Sequence, residues 1–142
     1  MKLKVGIIGI FWVFAISCND QDKSDHWPHG VNYEVFVRSF ADSDGDSIGD
    51  FKGLTARLDY LKDLGVGGVW LMPIMNSPTY HKYDVTDYKS IDPEYGTVED
   101  FKTFVAEAHK RDIQVLVDLI LNHTGYDHPW FQSAMQDKDS PY

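Results

Sequence analysis

Apolar and polar positions follow two rhythms along this chain, and the changes of rhythm mark out its elements. Val31–Phe40 is dense in β-branched and aromatic residues and predicts a first strand. Phe51, Leu54, Leu58, Leu61 and Leu64 then recur at helical spacing, with Asp50 placed to cap the segment and Gly65 to end it. Val66–Ile74 predicts a second strand, with glycines where close helix packing is needed. Thr97 and Asp100 form a capping-box-like start to a second helix, whose buried stripe is Val98, Phe101, Phe104, Val105 and Ala108. Lys110 and Arg111 fall in its last turn, where cations complement the helix dipole. Ile113–Thr124 is apolar almost throughout and predicts a third strand, buried on both faces as parallel strands are. Beyond it, Gly125–Tyr142 shows no pattern of a further helix or strand.

Strand, helix, strand, helix, strand, with crossovers long enough for parallel pairing, is the pattern of an α/β fold. In such folds functional groups gather at the C-terminal ends of the strands, and three polar clusters fall there. The first is the loop Asp42-Ser43-Asp44-Gly45-Asp46-Ser47-Ile48-Gly49-Asp50. Carboxylates so closely spaced repel one another unless a cation sits among them. Hard oxygen donors at this density suit calcium, with the Ile48 carbonyl completing the shell. The loop is not an EF-hand: Ser47 stands at the sixth position where glycine is required, and Gly53 at the twelfth where glutamate is. A solvated acidic turn is the alternative.

The second cluster is the long loop from Met75 to Gly96, with Tyr80, His81, Tyr83, Asp84, Asp87, Tyr88 and Tyr95. Loops of that length inside a compact domain tend to be functional. Rings beside carboxylates and an imidazole suit a sugar, whose C–H faces stack on aromatics while its hydroxyls need polar partners; an adhesive protein-binding loop has the same composition. The third is Asp118, which interrupts an apolar run, with Asn122 and His123 where the run ends. A buried carboxylate needs a partner, so Asp118 either has a task or is satisfied by backbone amides.

Composition narrows the function. With 13 Lys and Arg against 22 Asp and Glu, the formal charge is -9 and no basic cluster occurs, which argues against a nucleic-acid partner. The first residues stand apart from the fold. Lys2 and Lys4 precede the apolar run Val5–Ile16, which has the length of a signal h-region and is too short to span a membrane. Ala15-Ile16-Ser17-Cys18 resembles a bacterial lipoprotein signal, with Ala15 where leucine is commoner. Cys18 is the only cysteine, so no disulfide competes for it. The expectation is a signal peptide over 1–17, a lipidated Cys18, a tether over 18–30 and a domain over 31–142; an ordinary secretory signal is the alternative. The anchor implies a membrane-bound lipoprotein on the periplasmic or cell-surface side, most naturally of an outer membrane.

Tyr33-Glu34-Val35-Phe36-Val37-Arg38-Ser39-Phe40, the acidic loop through Phe51-Lys52-Gly53-Leu54, Tyr80-His81-Lys82-Tyr83-Asp84 with Asp87-Tyr88, and Asp118-Leu119-Ile120-Leu121-Asn122-His123 together resemble the α-amylase family, glycoside hydrolase family 13. The likeness covers the chain from Val31 onward, with four motifs in order. It implies the N-terminal portion, about three βα units, of a TIM (β/α)8 barrel. It further implies that His123 bonds the sugar nearest the scissile bond, that Asp118 supports the site, that Tyr83 stacks on the same sugar, and that His81 and Asp84 are nearby sugar contacts. Asp42, Asp44, Asp46, Ile48 and Asp50 match the metal loop of its oligoglucosidase-like branches, which implies Ca2+. Asn122, a calcium ligand in some members, is left open.

The implied substrate is a starch-like α-glucan or a maltooligosaccharide, and the resemblance leaves the choice of α-1,4 or α-1,6 bond open. The reaction would retain configuration, one carboxylate attacking the anomeric carbon and a second serving as acid and then base, roughly 5–5.5 Å apart. Neither carboxylate motif is present here, so none of the local carboxylates, Asp118 included, is read as catalytic. A closed barrel needs eight strands and about 250 residues, whereas three strands are counted here. The chain is therefore read as the front of a longer enzyme, either an incomplete sequence or a truncated gene product, and alone it is expected to be inactive. The alternatives are a non-catalytic glucan-binding lipoprotein and a small calcium-binding surface module.

Overall fold

The computed structural model describes residues 30–142. The leader, Cys18 and the tether up to residue 29 lie outside the described residues. Strand β1 (Val31–Val35) pairs in parallel with β2 (Val66–Leu71), and β2 pairs in parallel with β5 (Gln114–Val117), giving the order β1-β2-β5. Neighbours in space follow the order in the chain, as they do around a barrel. The chain between β2 and β5 forms a separate antiparallel pair, β3 (Met75–Asn76) and β4 (Asp87–Ile91).

The sheet is covered by three helices, α1 (Phe51–Ala56), α2 (Leu58–Asp63) and α3 (Val98–His109). Phe51, Leu54, Leu58 and Leu61 pack with Phe104, Ala108 and Ile113 against Val35, Val69 and Leu71, all essentially inaccessible to solvent. The Phe51 ring lies 5.2, 5.9 and 6.3 Å from those of Phe101, Phe104 and Tyr95. Burying each such side chain contributes about 1.5–3 kcal/mol, so this layer dominates the stability of the unit. The Thr97–Asp100 capping box forms as the sequence implies, with Thr97 Oγ1 accepting from the Asp100 N–H and Asp100 accepting from the Thr97 N–H.

Several elements differ from their expected form, each for a local reason. β1 stops at Val35, because a single 3-10 turn over Val37–Ser39 redirects the chain. The one helix expected after Asp50 is two. The Thr55 hydroxyl bonds back to the Phe51 carbonyl at 2.6 Å, an interaction that bends helices, and Arg57 leaves helical geometry at φ -102° and ψ 5°. Leu54 and Leu58 are both fully buried, whereas Leu64, assigned to the buried face, is exposed in the C-cap. Val98, assigned to the α3 stripe, is likewise exposed at the first turn. The segment from Met75 to Gly96 is not all loop, since β3 and β4 lie within it.

The third strand is shorter than its apolar run and is not buried on both faces. β5 covers only Gln114–Val117 and lies at an edge of the sheet among the described residues; beyond it Leu119 is exposed and Leu121 is 80% exposed. The final correction concerns Gly125–Tyr142, where helix α4 (Pro129–Gln136) forms. His128 caps it, its Nδ1 accepting the Trp130 N–H at 3.1 Å, and Pro129 occupies its first position. Histidine is not among the usual capping residues, so Pro129 is the one local mark of the start.

Candidate functional site

The ladder of the parallel sheet continues one rung past each strand end: the Met72 N–H donates to the Val35 carbonyl at 3.0 Å, and the Asp118 N–H to the Leu71 carbonyl at 2.9 Å. This fixes Asp118 at the C-terminal edge, beside the mouth of β2. Its side chain is half-buried, and its carboxylate accepts the Tyr83 phenol at 2.9 Å, from a residue 35 positions earlier. That hydrogen bond, then burial, then the charges of Asp118 and Glu34, push the Tyr83 phenol above its ordinary value. The phenol stays protonated and donates throughout the neutral range, so the ring is held by its tip, with the His81 ring tilted 5.9 Å from it.

His123 comes to the same place from the other side. Its Nδ1 lies 2.6 Å from the Asn122 amide nitrogen, and its Nε2 lies 3.1 Å from the Tyr83 carbonyl. An amide N–H can only donate and a carbonyl can only accept, so the neutral ring carries its proton on Nε2. Tyr88 supports this turn from beneath: its hydroxyl lies 2.7 Å from the Ile120 carbonyl and 2.6 Å from that of His123, with one proton to share between them. His81 completes the cluster. Its Nδ1 accepts the Tyr83 N–H at 3.2 Å, while its Nε2 faces Asp84 at 3.8 Å.

The structure thus brings together all five residues singled out for sugar contact, Tyr83, His123, Asp118, His81 and Asp84. They surround the end of β5, next to an open cavity of about 450 Å³ lined by Tyr88, Asn122, His123 and Trp130. A polar, half-exposed cluster of two imidazoles, two carboxylates and a phenol can exchange hydrogen bonds with several hydroxyls at once, while a ring offers an apolar face.

The acidic loop folds back on the turn after β1. The Gly49 N–H donates to the Arg38 carbonyl at 2.7 Å, and a Cβ at Gly49 would lie 2.0 Å from the Val37 carbonyl oxygen. Only glycine permits that approach. Among the described residues, Asp42, Asp44 and Asp50 each bring one oxygen within 4.8 Å of the others. Two ligands of one Ca2+ lie at most about 4.6–5.2 Å apart, twice the bond length, so the three carboxylates fit that ion. Asp46 is not in this group; its carboxylate accepts the Ile48 N–H at 2.7 Å. The N–H groups of Gly45 and Ser47 hold the Asp42 carboxyl below its ordinary value. Burial pushes Asp50 up, but the Gly53 N–H and the N–H and hydroxyl of Ser43 outweigh it and hold Asp50 low as well. Both carboxylates are charged at neutral pH, as a hard cation requires.

One set of residues escaped the sequence reading. Lys82 is buried, and its ammonium lies 2.8 Å from Asp92 and 2.7 Å from Glu94, whose carboxylate also bonds the Arg38 guanidinium. A lysine in a polar loop reads as solvated. The only local signal was Asp92 and Glu94 flanking a proline a short way downstream.

Comparison with known proteins agrees with this geometry. The model of the alpha amylase catalytic domain matches residues 34–142. The chain is 53% identical over 141 residues to Alpha-amylase 3 of Dictyoglomus thermophilum, covering 99% of this chain and 28% of that one. It is 50% identical over 117 residues to an oligo-1,6-glucosidase of Parageobacillus thermoglucosidasius, covering 82% of this chain and 21% of that one. Among solved structures, the alpha-amylase from H. orenii superposes with a TM-score of 0.78 at 58% identity, covering 80% of this chain and 25% of the other. The chain therefore spans about a quarter of the length of such relatives, and its parallel βαβ units correspond to the N-terminal part of their barrel. On the match of residues 34–142, on sequence identity and on the course of the backbone, the chain belongs to the α-amylase family of glycoside hydrolases.

Proposed function

We propose that this chain supplies the sugar-holding side of a retaining α-glucoside hydrolase acting on starch-like α-glucans or maltooligosaccharides. The observation that carries the reading is the Tyr83–Asp118 hydrogen bond at 2.9 Å with His123 on the Tyr83 backbone, at the C-terminal edge of parallel strands. Asp118 holds the Tyr83 ring by its hydroxyl, so a pyranose can lie against the ring face. The His123 Nε2–H, released from the Tyr83 carbonyl, donates to a sugar hydroxyl. His81, whose Nδ1 accepts the Tyr83 N–H, donates from Nε2, and Asp84 accepts, at the neighbouring hydroxyls.

The nucleophile and the acid/base come from outside these residues. They break the glycosidic bond in two steps, the first forming a glycosyl-enzyme and the second hydrolysing it with net retention. Ca2+ held by Asp42, Asp44 and Asp50, with Asp46 and the Ile48 carbonyl closing on it, would offset part of the loop charge and brace the turn after β1. In this reading Cys18 is lipidated and tethers the enzyme on the periplasmic or cell-surface side of a membrane, most naturally the outer one, where large glucans are met.

The test is to incubate the whole gene product with maltoheptaose and follow the anomeric protons by NMR. The reading expects the α-anomer of the product to appear first and to mutarotate later. A β-anomer appearing first, or a folded product with no turnover on any α-glucan, contradicts it.

A further inference from the structure

The side chain and backbone of Lys82 are both held in costly states, and the residue stands immediately before Tyr83. Lys82 is 3% exposed, and its backbone adopts φ +66°, a left-handed conformation that residues with a side chain disfavour. Its ammonium reaches Asp92 at 2.8 Å and Glu94 at 2.7 Å, lies 3.5 Å from the Ser77 carbonyl and sits 5.5 Å over the Tyr95 ring. Asp92 in turn accepts the Ser77 N–H at 3.2 Å and the Glu94 N–H at 3.0 Å. The hydrogen bond from Lys82 is the first of the influences holding the Glu94 carboxyl below its ordinary value. Arg38, from the turn after β1, bonds the same Glu94 carboxylate.

The two cations and two carboxylates balance, and together they join the middle of the long loop, its end and the turn after β1. A loop that only had to be closed needs neither a buried ammonium nor a left-handed lysine, since glycine would adopt the backbone freely. Strain of this kind persists where the surroundings over-determine the position. The residues on either side of Lys82 are His81 and Tyr83, whose ring nitrogen and N–H bond each other at 3.2 Å.

We propose that Lys82, clamped by Asp92 and Glu94, is a positioning residue that sets the Tyr83 ring and the His81 imidazole against the sugar. The proposal rests on the sugar-site reading above. The clamp fixes the middle of the tripeptide at Lys82, and the Tyr83–Asp118 bond fixes the ring tip, so the ring cannot swing from the sugar without breaking one of the two.

A double-mutant cycle on the whole gene product tests it, with a non-hydrolysable thio-linked maltotetraose as the probe and calorimetric Kd as the readout. Lys82→Gly keeps the backbone conformation and deletes the clamp. The expected result is a Kd about tenfold weaker for Lys82→Gly, a loss at least as large for Tyr83→Ala, and no further loss in the double variant, because neighbours acting through one contact are not additive. Losses that multiply in the double variant, or a folded Lys82→Gly protein that binds as tightly as the wild type, overturn the proposal. Where Lys82→Gly does not fold, Glu94→Gln loosens the same clamp from its exposed side, and the cycle with Tyr83→Ala is judged by the same criteria. A wild type that does not bind, or a Tyr83→Ala protein that binds normally, overturns the sugar-site reading and this proposal with it. Normal Tyr83 dependence without coupling overturns this proposal alone.

Discussion

Replacing Asp50 by alanine probes the join between the acidic loop and the helical layer. Asp50 is 9% exposed, and its two oxygens accept from the Gly53 N–H at 2.7 Å, the Ser43 N–H at 2.9 Å and the Ser43 hydroxyl at 2.8 Å. Loss of the helix cap costs about 1 kcal/mol. The Ser43 N–H loses a charged acceptor, but Ser43 is exposed and water replaces it, so that contact belongs at the low end, about 1–1.5 kcal/mol. The sum, about 2–2.5 kcal/mol, is a large share of the roughly 5–15 kcal/mol that holds a domain together. Urea denaturation of the whole gene product in EDTA, at pH 7, measures this without any contribution from bound metal. Asp50→Asn keeps an oxygen for the Gly53 N–H and is expected to lose about half as much. The Asp50 pKa is depressed in the folded state, so its contribution is fully present above the unfolded value near 3.8 and is lost as the pH falls through the lower folded value. The difference between wild type and Asp50→Ala should therefore shrink below pH 4. A loss under about 0.5 kcal/mol, or a difference that grows on acidification, refutes the reasoning.

Other predictions follow from single contacts. Gly53→Ala places a Cβ 2.2 Å from the Ala41 carbonyl oxygen, so it should destabilise by more than about 2 kcal/mol in the same denaturation assay, well beyond an ordinary helix glycine. Tyr83→Phe keeps the ring and removes the bond to Asp118; kcat/KM on maltoheptaose should fall by about tenfold, and a value equal to wild type would show the Asp118 contact to be idle. Added calcium should raise Tm, and Asp44→Asn should weaken that response by removing one of three clustered carboxylates. An Asp44→Asn protein with an unchanged calcium response would place the ion elsewhere.

What the sequence reveals depends on how far apart the cooperating residues stand. The parallel pairing of the strands and the α3 capping box are written in local spacing, and the structure reproduces them. Asp118 announces a partner by interrupting an apolar run, yet nothing local names Tyr83. The Lys82 clamp is invisible for a stronger reason: lysine in a polar loop is normally solvated, and only tertiary contacts with Asp92 and Glu94 make it a buried residue. The break at Arg57 and the His128 cap of α4 follow from single side-chain hydrogen bonds that no periodicity records. The apolar run after Asp118 suggested burial on both faces because it reports the environment for which the strand is built. Among the described residues that environment is only half supplied.

The most direct measurement of the central claim transplants the site. Residues 34–142 would replace the matching segment of the H. orenii alpha-amylase, with which the chain shares 58% identity, and the chimera would be assayed on starch alongside its Tyr83→Ala and His123→Ala variants. The account predicts a chimera that melts cooperatively and hydrolyses starch, with kcat/KM reduced by about a hundredfold or more in each variant. A cooperatively folded chimera without turnover, or one whose activity is indifferent to both substitutions, would contradict it.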